Sequence, residues 1–331
     1  MDKILTIAVA VYNIENYLDQ CLSSFADDRL KNSLEVLVIN DGSKDSSLEI
    51  ANKYKRNYPE IFTIIDKQNG GYGTTFYEGF KNASGKYYKV VDGDDYVDTE
   101  SLILLIDKLQ TFDVDVCFTK SKKFDSHSGK INGELTNLQS GYLSDTVYPI
   151  EKFSSNTLFF HISNVVFRTS LLRENNISVG DRYYVDLEYN FYPLFYAKNV
   201  VFFDLSVTNY RVNQTDNSSC FKNLIKNAEQ YAIAGKRLIG FYTQHKTLPF
   251  ANSIYVSQYL ALQLNVCYYY YFLNPINSST KMKMLELNSI LQSHPEIECN
   301  LPVKLFLKSH RTYRFISIVC RIRLFFKSFC G

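Results

Sequence analysis

Short apolar runs alternate with stretches of helical period through the first hundred residues of this chain. Ile4–Val11 and Leu34–Ile39 are near-continuous hydrophobic runs of the kind buried on both faces of a sheet. Between them, Tyr17, Leu18, Cys21, Leu22 and Phe25 recur at helical spacing within Ile14–Ala26. The pattern repeats with a helix over Ser46–Tyr58, a strand over Ile61–Ile65, a helix from about Gly70 to Ala83, and a strand over Lys86–Val91. Strand and helix in strict alternation predict a mostly parallel sheet covered by helices on both faces. From about 99 to 210 the signal is mixed. A helix near Leu102–Leu109, a strand near Asp115–Thr119, a polar loop or hairpin at 121–146, a helix near Asp186–Ala197 and a strand at Val200–Leu205 are expected. Longer helical segments follow at about 222–244, 250–272 and 279–292, which divides the chain into 1–217 and a helical region, 218–331.

Composition narrows the function classes. A hydrophobic content of 46% excludes a disordered chain, and a net charge of only +2 argues against nucleic acid as a partner. Seven cysteines with no CxxC pair fit neither a disulfide framework nor a zinc site. The first apolar run is too short for a signal peptide, and no run approaches the roughly 20 residues of a membrane span. A cytoplasmic protein is expected on that basis. From Lys308 onward the chain carries six Lys/Arg and no acid, interleaved with Phe, Ile, Val and Leu. Such a segment either lies in an anionic membrane interface, which would make the protein peripheral at the inner face of the cell membrane, or docks on its own domain.

The chemistry concentrates after the fourth strand. Asp92-Gly93-Asp94-Asp95 sets three carboxylates within four residues behind a buried-looking run. Like charges this close raise one another's pKa unless a cation neutralises them, and Mg²⁺ or Mn²⁺ with oxygen ligands does so while gripping a phosphate. Ligands of open α/β sheets bind beyond the carboxyl ends of the strands, where this cluster falls. Two other features stand at strand ends. Asp41 opens an Asp-Gly-Ser turn, and Gly70-Gly71-Tyr72-Gly73 lets backbone approach a ligand closely.

Five pieces taken in order, Val11-Tyr12-Asn13-Ile14-Glu15, Asn40-Asp41-Gly42-Ser43, Lys67 to Gly73, Asp92-Gly93-Asp94-Asp95 and Tyr184-Val185-Asp186-Leu187-Glu188, resemble the family 2 glycosyltransferases over roughly residues 4–215. The resemblance implies a GT-A fold and an inverting, metal-dependent transfer from a UDP-sugar to a hydroxyl of a saccharide acceptor, in bacterial surface-polysaccharide assembly. An acceptor linked to a lipid diphosphate would suit a tail at the membrane. The resemblance places Ala10 (where the family usually has proline), Tyr12 and Glu15 along the nucleotide pocket, with Glu15 equally readable as a first-turn helix carboxylate. Asp41 corresponds to the aspartate that accepts from the uracil ring. Lys67, Gly70 and Gly71 fall beside the diphosphate, and Asp92, Gly93 and Asp94 correspond to the DxD element, with Asp94 the direct metal ligand and Asp92 nearer the ribose. Asp95 falls on the acceptor side or caps the next helix. Asp186 corresponds to the catalytic base, with Glu188 as rival because two positions apart on a helix face different ways. Arg211, in Tyr210-Arg211, is either a diphosphate ligand or a structural ion pair. A lone histidine such as His161 is read as packing. The rival function classes are a sugar-phosphate nucleotidyltransferase, whose Gly-rich loop is missing after strand one, and an inactive membrane-recruiting homologue.

Overall fold

A computed structural model describes residues 3–135, 142–153, 161–181, 184–212, 226–274, 278–309 and 316–320. The alternation read from the sequence becomes β1 (Leu5–Val11), α1 (Glu15–Ser23), β2 (Leu34–Asn40), α2 (Ser47–Asn57), β3 (Phe62–Asp66), α3 (Tyr72–Asn82) and β4 (Tyr87–Asp92). β5 (Tyr96–Val97), α4 (Thr99–Thr111), β6 (Val116–Asp125), β7 (Ile131–Leu135), β8 (Val147–Pro149), β9 (Val165–Arg168), α5 (Thr169–Glu174), α6 (Val185–Phe191) and β10 (Asn199–Val212) follow.

These strands form one sheet in the order β3-β2-β1-β4-β9-β6-β10-β5, with β7 added to β6 and β8 to β10. The first half is parallel throughout, as expected for strands joined by crossover helices. The second half is mixed: β9 runs antiparallel between β4 and β6, and β6 and β10 are parallel. The polar stretch after Thr119 is the β6–β7 hairpin, so β6 runs six residues further than its apolar part.

Burial on both faces explains the near-continuous hydrophobic runs. Leu5, Ile7, Val9 and Val11 point to the side packed by Leu18, Cys21, Leu22 and Phe25 of α1 and by Leu102, Leu105, Ile106 and Leu109 of α4. The α4 residues recur at i, i+3, i+4 and i+7, which is the stripe one helix face presents to a sheet. α3 covers the opposite side. A Cβ on Gly79 would come within 2.9 Å of the Ala8 Cβ and closer still to the Tyr88 hydroxyl, so only glycine lets this helix sit so near the sheet.

The chain divides into two compact units, 1–214 and 215–331. The sequence-based boundary at 217/218 lies in 213–225, outside the described residues. In the second unit, α7 (Ala228–Gln244), α8 (Ile254–Leu273) and α9 (Ser278–Gln292) are the expected helices, and α10 (Leu301–Lys308) is a further one that the sequence pattern did not predict. No described helix is long and apolar enough to cross a membrane. Most of the basic tail, residues 310–315 and 321–331, also lies outside the described residues. Its described turn is docked: Ile316, Ser317 and Cys320 are buried, and the Ser317 hydroxyl donates to the Phe272 carbonyl within 215–331. Cys21, Cys117, Cys267 and Cys299 are buried free thiols, and Cys320 is buried with them among the described residues.

Candidate active site

The loops at the carboxyl ends of β1, β2, β3 and β4 meet at one edge of the first unit, and the start of α6 joins them. The β1 and β2 loops cap each other. Asn13, at φ 53°, takes the left-handed conformation that asparagine tolerates, and its Oδ1 accepts the Lys44 N–H at 2.8 Å. Ile14 N–H donates to Ser47 Oγ, and Glu15 N–H to Asp45 Oδ2. The Glu15 carboxylate accepts the Ser46 N–H at 2.8 Å, which engages it in the start of α2. Tyr12 stands half exposed at the rim, free to meet a ligand face.

Asp41 is buried and organises the next loop. Its Oδ1 accepts from the Lys67 ammonium and from Gly70 N–H at 2.8 Å, and its Oδ2 accepts from Gly71 N–H at 2.9 Å. Lys67 also donates to Thr74 Oγ1 and the Gln68 carbonyl, so its charge is spent inside the loop. An open hollow of about 430 Å³ lies alongside, lined by Asn40, Gly42, Ser43, Asp66 and Lys67 among others. Gly71, at φ 95°, turns the chain into α3 in a conformation that favours glycine.

The acidic run sits in a tight bend. Ala10 pairs with Asp92 across the sheet, and a Cβ on Gly93 would come 2.7 Å from the Ala10 carbonyl oxygen and 2.4 Å from Ile14 Cδ1. Asp92 Oδ1 accepts from the Tyr72 hydroxyl. Burial and the neighbouring Asp94 push the Asp92 carboxyl up to about 7, with Asp186 adding to the shift. Asp95 is buried. Its Oδ1 accepts the Arg211 N–H at 2.7 Å, while its Oδ2 has no hydrogen-bond partner among the described residues. Burial first, then Asp94 and Asp92, hold the Asp95 carboxyl well above the usual range.

Arg211 lies beneath this bend and stays within the protein. Its Nε donates to the Asp94 carbonyl at 2.7 Å and Nη2 to Gln20 Oε1 at 2.6 Å, with the guanidinium over the Tyr17 and Phe124 rings. The guanidinium is thus held by a carbonyl, an amide oxygen and two rings rather than by the ion pair expected as the alternative to diphosphate binding.

α6 opens on Tyr184 at φ 60°, an unusual conformation for a bulky residue and one that marks a constrained junction. Asp186, half buried in the first turn, is pushed up to about 6 by burial, and its charge reaches both Asp92 and Tyr72. Glu188 faces the other way, fully buried, and accepts the Gly180 N–H at 2.8 Å. Asp186 therefore faces the acidic bend, and Glu188 holds the preceding loop. That loop is tied to α3, since Gly73 N–H donates to the Asp181 carbonyl and a Cβ on Gly73 would collide with the Gly180 carbonyl at 1.7 Å. Gly73→Ala should destabilise the protein by about 1–3 kcal/mol and displace this loop, readable as a lowered denaturation midpoint together with lost turnover.

Sequence reasoning treated Tyr72 only as part of a turn and set His161 aside. The structure brings Asp92, Asp95 and His161 together, with one ligand atom from each within 4.8 Å of the others. Asp94, the expected direct metal ligand, is not one of this trio. Close carboxylates, one with a buried oxygen lacking any donor, fit a divalent cation.

A sheet of this order with an acidic bend at its carboxyl edge is of the GT-A type. Residues 6–175, just over half the chain, match the model of Glycosyl transferase family 2, and the chain belongs to that family. It is 30% identical over 177 residues to a poly(ribitol-phosphate) beta-glucosyltransferase of Bacillus spizizenii, a match covering 53% of this chain and 26% of that protein. The chain thus aligns with about a quarter of that relative's length. Its fold is similar to that of Staphylococcus aureus TarS 1–349, solved with UDP-GlcNAc, at TM-score 0.65 and 19% identity over 96% of this chain and 89% of that one. A mannosyltransferase from Pyrobaculum calidifontis, solved with GDP-Man and Mn²⁺, matches at TM-score 0.50 and 12% identity, covering 96% and 87%.

Proposed function

We propose that this chain is an inverting hexosyltransferase moving a sugar from a UDP-sugar to a hydroxyl of a saccharide or polyol acceptor in bacterial surface-polysaccharide assembly. The observation that carries the reading is Asp186, a half-buried carboxylate at the start of α6 that faces the acidic bend with its proton held up to about 6. A carboxylate so tuned is a general base near neutral pH, able to take the proton from an acceptor hydroxyl as it attacks the anomeric carbon. The Asp41 loop and its hollow provide a nucleotide seat at the ends of β2 and β3. The start of α3 and the glycine turn bring backbone close to the diphosphate. Arg211 and Gly93 keep the Asp92–Asp95 bend in one geometry. Asp92 and its neighbours would hold Mn²⁺ or Mg²⁺, which stabilises the negative charge developing on the departing nucleoside diphosphate. The named activity of the Bacillus spizizenii relative supports the acceptor class, and the UDP-GlcNAc complex of the Staphylococcus aureus structural relative supports a UDP-sugar donor.

The test is a panel of UDP-sugars incubated with the full chain and Mn²⁺, with free UDP measured. One donor should give UDP release that EDTA suppresses at least tenfold. Absence of release from every donor, alongside pyrophosphate formation from UTP and a sugar 1-phosphate, would assign the site to nucleotidyl transfer instead.

A further inference from the structure

Ahead of Asp92, β4 is apolar except for Lys89, which is fully buried in the sheet three residues earlier. A lysine in such a place normally has a carboxylate partner, because an unpaired buried ammonium is expensive. Among the described residues Lys89 has none. Its ammonium donates instead to the Ser163 carbonyl, and burial lowers its pKa to about 7. Ser163 belongs to the short turn His161–Asn164, which Asn164 N–H closes by donating to the His161 carbonyl at 2.9 Å. The Thr208 hydroxyl reaches the same Ser163 carbonyl at 3.4 Å. A buried amine, a strand hydroxyl and an internal hydrogen bond thus fix one turn that carries no recognisable motif.

What that turn presents is His161. Its Nδ1 lies 2.6 Å from Ser163 Oγ, and its ring packs against Tyr210 with centroids 4.1 Å apart. Nδ1 also accepts the Ser163 N–H at 3.4 Å, so a ligand would meet the ring at Nε2. Beside it are Asp92 and the buried, donorless Oδ2 of Asp95. Ligation through Nε2 would put the ring proton on Nδ1, where Ser163 Oγ can accept it.

Building on the transferase reading above, we infer that His161 is a direct nitrogen ligand, with Asp92 and Asp95, of the divalent cation at this site, and that Lys89 is the positioning residue that fixes its turn. A nitrogen in the ligand set tilts the site toward Mn²⁺ and away from Mg²⁺, which keeps to oxygen.

Pulsed EPR of the full chain loaded with Mn²⁺ and UDP tests the assignment, because a coordinated imidazole imprints ¹⁴N modulation on the echo. The modulation should be present, convert to the ¹⁵N pattern in protein labelled with ¹⁵N-histidine, and vanish in His161→Ala, with Mn²⁺ affinity down tenfold or more. The labelling arm needs no substitution, so a misfolded variant leaves the question decidable. Lys89→Met, which keeps the volume, should keep the modulation but weaken Mn²⁺ binding several-fold; unchanged affinity would overturn the role given to Lys89. Bound Mn²⁺ with no nitrogen modulation, or modulation that survives His161→Ala, overturns the ligand assignment while leaving sugar transfer intact. Transfer that proceeds fully in EDTA, with no Mn²⁺ retained by the protein, overturns this inference and the metal-dependent reading together.

Discussion

Asp186→Asn should lower sugar transfer by about 10²–10⁴-fold, the usual worth of a positioned general base, while UDP affinity stays within about twofold of the unsubstituted protein. Asparagine keeps the size of the side chain and an acceptor oxygen but cannot take a proton. The wild-type pH profile carries the same signature. Burial disfavours the charged carboxylate, so the proton stays on until about pH 6 rather than leaving near 4. The base is competent only when ionised, so kcat/KM should fall tenfold per pH unit below about 6 and level off above 7. A variant retaining more than a tenth of wild-type turnover would remove Asp186 from this role. Glu188, committed to Gly180, has no free orientation from which to replace it.

Asp41→Ala should destabilise the first unit by about 2–3 kcal/mol and weaken UDP binding more than tenfold. The substitution strands the Lys67 ammonium and the Gly70 and Gly71 amides at once, and buried donors without acceptors cost on the order of 1–3 kcal/mol each before relaxation. Lys67 remains partly exposed, so water recovers some of its share and the lower end of the sum applies. Lys67→Met leaves Asp41 with both amides and should cost less than half as much. Chemical denaturation of the three proteins gives the order directly. Equal midpoints for wild type and Asp41→Ala would mean that the loop is held by other contacts.

Much of the parallel half of the first unit was readable in the sequence because its physics is local. A strand buried on both faces must be apolar throughout, and a helix on a sheet must repeat at 3–4 residues, so β1 to β4 and α1 to α4 announced themselves. Asp92 to Asp95 was equally plain, since three carboxylates after a buried run have few bland explanations. Lys89 carried a signal that went unused: a lysine inside Lys86–Val91 conflicts with that strand's burial and needed a partner. His161 gave no local signal at all. Its meaning lies in a contact with a bend nearly seventy residues away, which hydrophobic periodicity does not encode. Arg211 and Glu15 were each open between a ligand and a structural role, and the hydrogen bonds they make within the protein join segments far apart in sequence.

By itself, the chain's pattern of apolar and acidic residues determined the parallel half-sheet, its helical cover and the edge where ligands gather, because alternation and charge density act over a few neighbours. Which carboxylate faces the bend, which charges are already spent inside the protein, and which histidine joins Asp92 and Asp95 were decided by tertiary structure. Those questions turn on side-chain direction and on distances of a few ångströms between segments far apart in sequence, quantities that exist only once the sheet has closed.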